Sequence, residues 1–191
     1  MDQNILKFVE QFEGWVLKDI RILLRLEDES GNILSPDRNT YTDRHRPFVA
    51  AVILTCCAID MLSAFRYGRY NSDVGDTFKC FIRNYFTKEN TKSKKTYNVE
   101  HVYNGLRNDL LHGYSLGKDL ALGHENAKQH LEKSAKRTII DVFEFYYDLE
   151  SVYKVYKSEI ESGKYKEEFD RRWQYAPVIK YVATENIKRP E

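Results

Sequence analysis

The stretch "PFVAAVILTCCAIDMLSAF", residues 47–65, constrains the fold more than any other part of the chain. It is apolar nearly all round, and a helix of that kind has to be buried among others or in a membrane. Its length nearly reaches the roughly 20 residues that cross a bilayer. Asp60 lies inside it, Arg44 and Arg46 precede it, and Arg66 and Arg69 follow it. Charges so placed point to a buried central helix and away from a membrane segment. Pro47 suits the first turn of such a helix, because a proline has no N–H to leave unpaired there.

The rest of the chain supplies elements to surround it. Residues 4–27 carry Ile5, Phe8, Phe12, Trp15, Ile20 and Leu23/Leu24 on one helical stripe. A polar loop with Gly31 and Pro36 follows. Residues 74–86 give a short amphipathic helix with Val74, Phe78, Phe81/Ile82 and Tyr85 inward. "TKENTKSKKTYN" reads as a basic, mobile loop. Residues 98–112 form the next helix, capped by Asn98. After Gly113 helical periodicity fades, and "DLAL" and "RTII" are candidate strands. Asp141 then begins a long helix, with Glu144 in capping-box position. Its stripe is Val142, Phe145/Tyr146, Leu149, Val152/Tyr153, Tyr156 and Ile160, and Gly163 ends it. "KYKEEFDRRWQY" is a last short helix. The expectation is an all-α fold: a bundle of four to five helices with a small β-like insertion between the last two main helices. Residues 1–176 form one domain and 177–191 a C-terminal tail.

With 30 basic and 29 acidic residues the net charge is +1, so no overall field draws the chain to a polyanion or an anionic membrane, and any such partner needs a local patch. Cys56, Cys57 and Cys80 are odd in number and lack metal-ligand spacing. They fit a reducing, cytoplasmic setting better than a secreted one, as does an N-terminus without a signal-peptide pattern. No metal cluster and no cofactor motif is legible.

The stretch "YNGLRNDLLHGY", residues 103–114, carries the chemistry. On a wheel of about 100° per residue, Val99, Val102, Tyr103, Leu106 and Leu110 share the core face. His101, Asn104, Asn108 and His112 share the opposite face, and Arg107 lies between. Gly105 is also on the far side. Glycine inside a helix costs about 0.5–1 kcal/mol relative to alanine, so its use suggests the close approach of another backbone or a ligand. Two readings stay open. His112 suits the negative end of a helix dipole, with Gly113 as its left-handed cap and Arg107 solvated. Alternatively the trio is a site.

"LRNDLLH" resembles the signature of the HEPN superfamily, in which an Arg, a polar residue, a short spacer and a His close a helix of an α-bundle. Arg107, Asn108 and His112 match those positions. The resemblance implies a metal-independent endoribonuclease that works as a homodimer, with two motifs facing each other. It also implies a toxin–antitoxin, abortive-infection or other defence setting, with an antitoxin or defence-system protein as a further partner. The residues suit the chemistry: RNA carries its own nucleophile in the 2′-OH, His titrates near neutrality, and Arg offers a fixed fork of donors to a phosphate. On an ideal wheel, however, Arg107 and His112 stand about 140° apart, so a distorted turn, a long Arg or a symmetric mate must bring them together. The competing reading is a HEPN-like binding or scaffold module without activity.

Asp60 pairs with Arg66 or Arg69 as structural support, or holds Arg107. Asn104, Lys94 and Lys95 are candidate RNA contacts, with Tyr97 or Tyr114 stacking on a base. The loop from Lys88 to Lys95 could equally be only a solvated turn.

Overall fold

The computed structural model describes residues 2–28, 30–34, 47–69, 73–124 and 126–176. The tail 177–191, Pro36 and the flanking Arg44 and Arg46 lie outside the described residues.

The chain opens with one continuous helix in three parts: α1 (Gln3–Gln11), π1 (Phe12–Leu17) and α2 (Lys18–Leu23). Asp2 caps it, its carboxylate accepting from the Asn4 N–H at 2.8 Å. In π1 each N–H reaches back one residue further than in an α-helix, so the turn is wider. The inward position therefore moves: Leu17, five residues after Phe12, is buried, while Trp15 of the expected stripe is only half-buried.

The central helix α3 (Phe48–Tyr67) packs against α2 and against α4 (Val74–Tyr85), α6 (Val142–Glu161) and α7 (Lys166–Tyr175). It is long and apolar enough to cross a membrane, but 56% of its most apolar window is buried inside the protein. Ile53, Leu54, Asp60 and Met61 remain half-buried and Cys57 is exposed, so this helix keeps one open side. It ends at Gly68, whose φ of 61° is left-handed. A side chain there would also meet the Glu168 backbone of α7 at 3.0 Å. That close crossing seats α7 over the end of α3, where Phe169 stacks on Trp173 and both rings meet Phe65 at a tilt.

The helix holding the motif is again compound: π2 (His101–Asn108) runs into α5 (Asp109–Gly113). Asn98 does cap it, its side chain accepting from the His101 N–H at 3.1 Å. Between α5 and α6 the chain makes a three-stranded sheet in the order β1-β3-β2, from β1 (Leu120–Gly123), β2 (Lys133–Ser134) and β3 (Arg137–Asp141). The insertion falls where the sequence places it, and "DLAL" and "RTII" largely coincide with β1 and β3. These two pair in parallel, Leu120 opposite Thr138 and Leu122 opposite Ile140, while β2 is antiparallel to β3. Parallel neighbours need a crossover. It is supplied by the segment carrying β2, too short to leave a pattern in the sequence, and a single turn of 3₁₀ helix at Ala127–Gln129. The protein is thus mostly helical with a small mixed sheet.

The same sheet answers the question of Gly105. The Gly117 N–H donates to the Gly105 carbonyl at 3.1 Å. A Cβ on Gly117 would stand 2.8 Å from the Gly105 Cα, and one on Gly105 would strike Leu120 at 2.5 Å. The backbone that approaches is the protein's own, and Gly105 is buried.

Candidate active site around Arg107 and His112

Asp60 is the centre of the arrangement. Arg69, just past the end of α3, donates from Nη1 to Asp60 Oδ1 at 2.9 Å, to the Thr77 hydroxyl at 3.1 Å and to the Val74 carbonyl at 3.3 Å. From the motif helix, Arg107 donates from Nη2 to Asp60 Oδ2 at 3.2 Å and from Nη1 to the Asn108 side-chain oxygen at 2.9 Å. Asp60 is 21% exposed, Arg69 14% and Arg107 15%, so the cluster sits at the edge of the core and not inside it. Both offered partners for Asp60 thus meet there, with Arg69 and Arg107 sharing one carboxylate. Arg66 does not join them. Its Nε donates to the Tyr85 hydroxyl at 3.0 Å, and its guanidinium lies 3.2 Å from the centre of the Tyr165 ring. Arg66 is one turn beyond Ser63 on α3, and stacking on two tyrosine rings (the other is Tyr67) holds it on the α4–α7 side.

His112 is exposed and makes no hydrogen bond or ion pair among the described residues. Arg107 turns inward to α3, so no hydrogen bond joins the two side chains within one protomer. The helix distortion is real but falls in π2, before the motif's last turn. The cap also differs from expectation. Gly113 stays helical, and the left-handed residue is Tyr114, with φ 51°. Its N–H bonds to the Leu110 carbonyl, and the Ser115 N–H to the Asp109 carbonyl, both at 3.2 Å. The Tyr114 bond is that of an αL-type ending, displaced by one residue from Gly113. A bulky residue in that conformation costs about 1–3 kcal/mol. Tyr114 nevertheless stands 72% exposed next to the motif.

The remaining candidates are placed elsewhere. Asn104 is exposed and donates to Glu100 at 2.9 Å. Together they border a groove that also has Asp109, Asp119, His101 and Lys118 on its walls, where three carboxylates outnumber one lysine and disfavour a phosphate contact. Lys95 is committed to architecture: Nζ donates to Glu132 at 2.6 Å and to the His130 carbonyl. Lys94 is exposed, with Nζ 3.5 Å from the Glu89 carbonyl. Tyr97 is buried and cannot stack on a base.

Tyr97 instead belongs to a network that the sequence did not reveal. The Asp141 N–H donates to His130 Nδ1 at 3.0 Å, which leaves the His130 proton on Nε2, 2.7 Å from the Tyr97 hydroxyl. Tyr97 donates to Asp148 Oδ2 at 2.9 Å. Ser93 completes the carboxylate, its N–H reaching Oδ1 at 2.7 Å and its hydroxyl Oδ2 at 2.6 Å. Burial first, and then the Asp148 charge, push the Tyr97 phenol well above its usual range. The supposedly mobile basic loop is thereby tied to α6 and to the β-insertion. Asp141 also caps α6, accepting from the Phe143 and Glu144 N–H groups. A sequence signal existed in Asp148, an acid set among the apolar residues of α6.

Comparison of the chain with protein-family models, with curated proteins and with solved structures finds no significant match. Function therefore has to be argued from the residues. Among the described residues no three His, Cys, Asp or Glu side chains are grouped as a metal site would need.

Proposed function

We propose that the protein is a metal-independent endoribonuclease of the HEPN type, acting on single-stranded RNA. One observation carries the reading. Arg107 is held in a fixed orientation by Asp60 and Asn108 and has a buried Nε with no partner among the described residues, while His112 stands exposed on the next turn. A braced guanidinium suits charge developing on a phosphate. An exposed imidazole suits proton transfer near neutrality. The 2′-oxygen attacks the phosphorus, the bond to the 5′-oxygen breaks, and the leaving oxygen takes a proton. The products are a 2′,3′-cyclic phosphate and a 5′-hydroxyl. Within one chain the two groups diverge, so the site is completed by a second copy across a two-fold axis, where one surface must serve both subunits. An antitoxin or other defence-system protein would hold such an activity in check.

The rival reading, an inert scaffold, draws on the same contacts: Arg107 is an arm of an internal ion-pair network, as a purely structural residue would be. Cleavage decides. Purified protein should cut single-stranded RNA in the presence of a chelator and leave DNA intact. His112→Ala should lose about 10²–10⁴ in rate, the usual worth of general acid–base catalysis. Cleavage that survives in the His112→Ala/Arg107→Ala double variant would return both residues to structural roles.

A further inference from the structure

The three-stranded sheet lies against the motif helix like a wedge. Leu120 and Lys133 both stand opposite Thr138, so the three side chains share one face of the sheet. Leu120 reaches Gly105, and there the face closes on the helix. One turn earlier, at His101, it stands clear and leaves a cavity of about 190 Å³. The floor is apolar, made by the buried Tyr97, Val102 and Ile140. The rim is polar and rich in donors. The Asn98 NH2, the His101 ring, the Lys133 amine and the Thr138 hydroxyl line it and have no hydrogen-bond or ion-pair partner among the described residues. Two acceptor oxygens of the rim are already in use. Asn98 Oδ1 takes the His101 N–H at 3.1 Å, and the Thr96 hydroxyl takes the Lys88 N–H at 3.2 Å. The carboxylate of Glu100 borders the neighbouring groove and is paired with Lys79 at 3.0 Å.

The cavity is smaller than the roughly 300–1,000 Å³ of a site for a drug-sized ligand, so it suits one planar ring. A splayed-out nucleobase has the required form, a flat apolar body with a polar edge. The donors select among bases. Uracil presents two carbonyl oxygens to them, whereas the amino group of adenine needs an acceptor. Lys133 and His101 add positive charge for the adjoining phosphate. We infer that this cavity is a base pocket that takes one uracil, with its phosphate, from single-stranded RNA. The assignment of the strand rests on the ribonuclease reading, whereas the pocket itself does not. His101 and His112 are eleven residues apart on the motif helix, at most about 16 Å at the α-helical rise. The base so held is therefore distant from the bond that is cut. It touches the sheet and the helix together, and so strengthens the clamp between them.

The test uses the full chain and 2′-O-methyl oligonucleotides of uridine and of adenosine, which bind but are not cut. Binding is measured by fluorescence anisotropy over a range of salt for wild type, Thr138→Tyr and Lys133→Gln. Wild type should hold the uridine strand about tenfold more tightly than the adenosine strand, the worth of one or two hydrogen bonds. Thr138→Tyr fills the cavity from a strand position, where an aromatic ring is well tolerated, and should bring the two affinities together. Lys133→Gln should lower the slope of log affinity against log salt by about 0.7, the single-strand value for one phosphate. An unchanged slope would overturn the assignment. So would equal affinities in wild type, or a uridine preference that survives Thr138→Tyr, even if RNA is cleaved normally. A uridine preference that depends on Thr138, in a protein that never cleaves RNA, would support the pocket and defeat the nuclease reading. Uridine monophosphate separates the two sources of such a base. Competition only at much higher concentration than the strand supports RNA as the occupant, and competition as strong as the strand's overturns it in favour of a free nucleotide. Should Thr138→Tyr melt early, the wild-type preference and the Lys133→Gln slope decide by themselves.

Discussion

Two polar clusters in this protein are each built around one aspartate and differ in completeness. In the His130–Tyr97–Asp148–Ser93 network the described donors meet acceptors, and His130 and Asp148 are fully buried. In the Asp60–Arg69–Arg107 cluster one carboxylate serves two guanidinium groups, the Arg107 Nε has no partner among the described residues, and the side chains sit at the rim of the core. A closed network fixes a fold and has nothing left to offer a ligand. An open one at the surface still has donors to spend. The difference teaches that burial and charge alone do not mark a site, and that the unfilled hydrogen-bonding capacity of the buried groups does.

The largest expected effect comes from breaking the closed network. Asp148→Ala strips acceptors from Tyr97 and from the Ser93 N–H and hydroxyl at once, and should destabilise the protein by about 3–5 kcal/mol. Chemical denaturation would measure it, and an unchanged midpoint would show that the network contributes little. Breaking the open cluster should cost less, since its members are partly solvated. Asp60→Asn keeps the shape and removes the charge, with an expected loss of about 1.5–3 kcal/mol in stability. The same variant should lower RNA cleavage, because Arg107 loses its brace. Stability lost with cleavage intact would separate the two roles. The smallest effect is expected at Lys95. Lys95→Gln breaks an exposed pair with Glu132 and leaves RNA binding and its salt dependence as in wild type, since that amine faces the β-insertion. A lowered salt slope would reinstate Lys95 as a phosphate contact.

What could be read from the sequence follows from periodicity and from isolated charges. The stripes of α4 and α6 were legible because each keeps the α-helical period throughout. The stripe of the first helix was legible at Ile5, Phe8, Phe12, Ile20 and Leu24 and failed at Trp15, because no residue in "FEGWVL" announces a π turn that makes Leu17 the inward position there. The same silence covers π2, where a uniform wheel cannot say which way Arg107 turns. Asp60 was legible as a charge in an apolar run, and its pairing with Arg69 and Arg107 was among the expectations. Asp148 carried the same signal in α6 but was masked by the aromatic residues beside it. His130 and Ser93 could not be found this way, because their partners come from three separate segments and only the folded chain brings them together. Tyr97 and Lys95 resembled ligand contacts because they lie in a basic stretch. Their actual partners come from α6 and from the turns of the β-insertion.

The contact between Gly105 and Gly117 gives the molecule a built-in gauge. The Gly117 amide sits in irregular chain, where exchange with deuterated solvent is ordinarily fast. Here it is hydrogen-bonded to a carbonyl of the motif helix, so it exchanges only when the β-insertion lifts away from that helix. The protection of that one amide therefore reports how firmly the helix bearing Arg107 and His112 is clamped. Any partner that loosens or tightens the motif helix would be recorded there, some distance from where it binds.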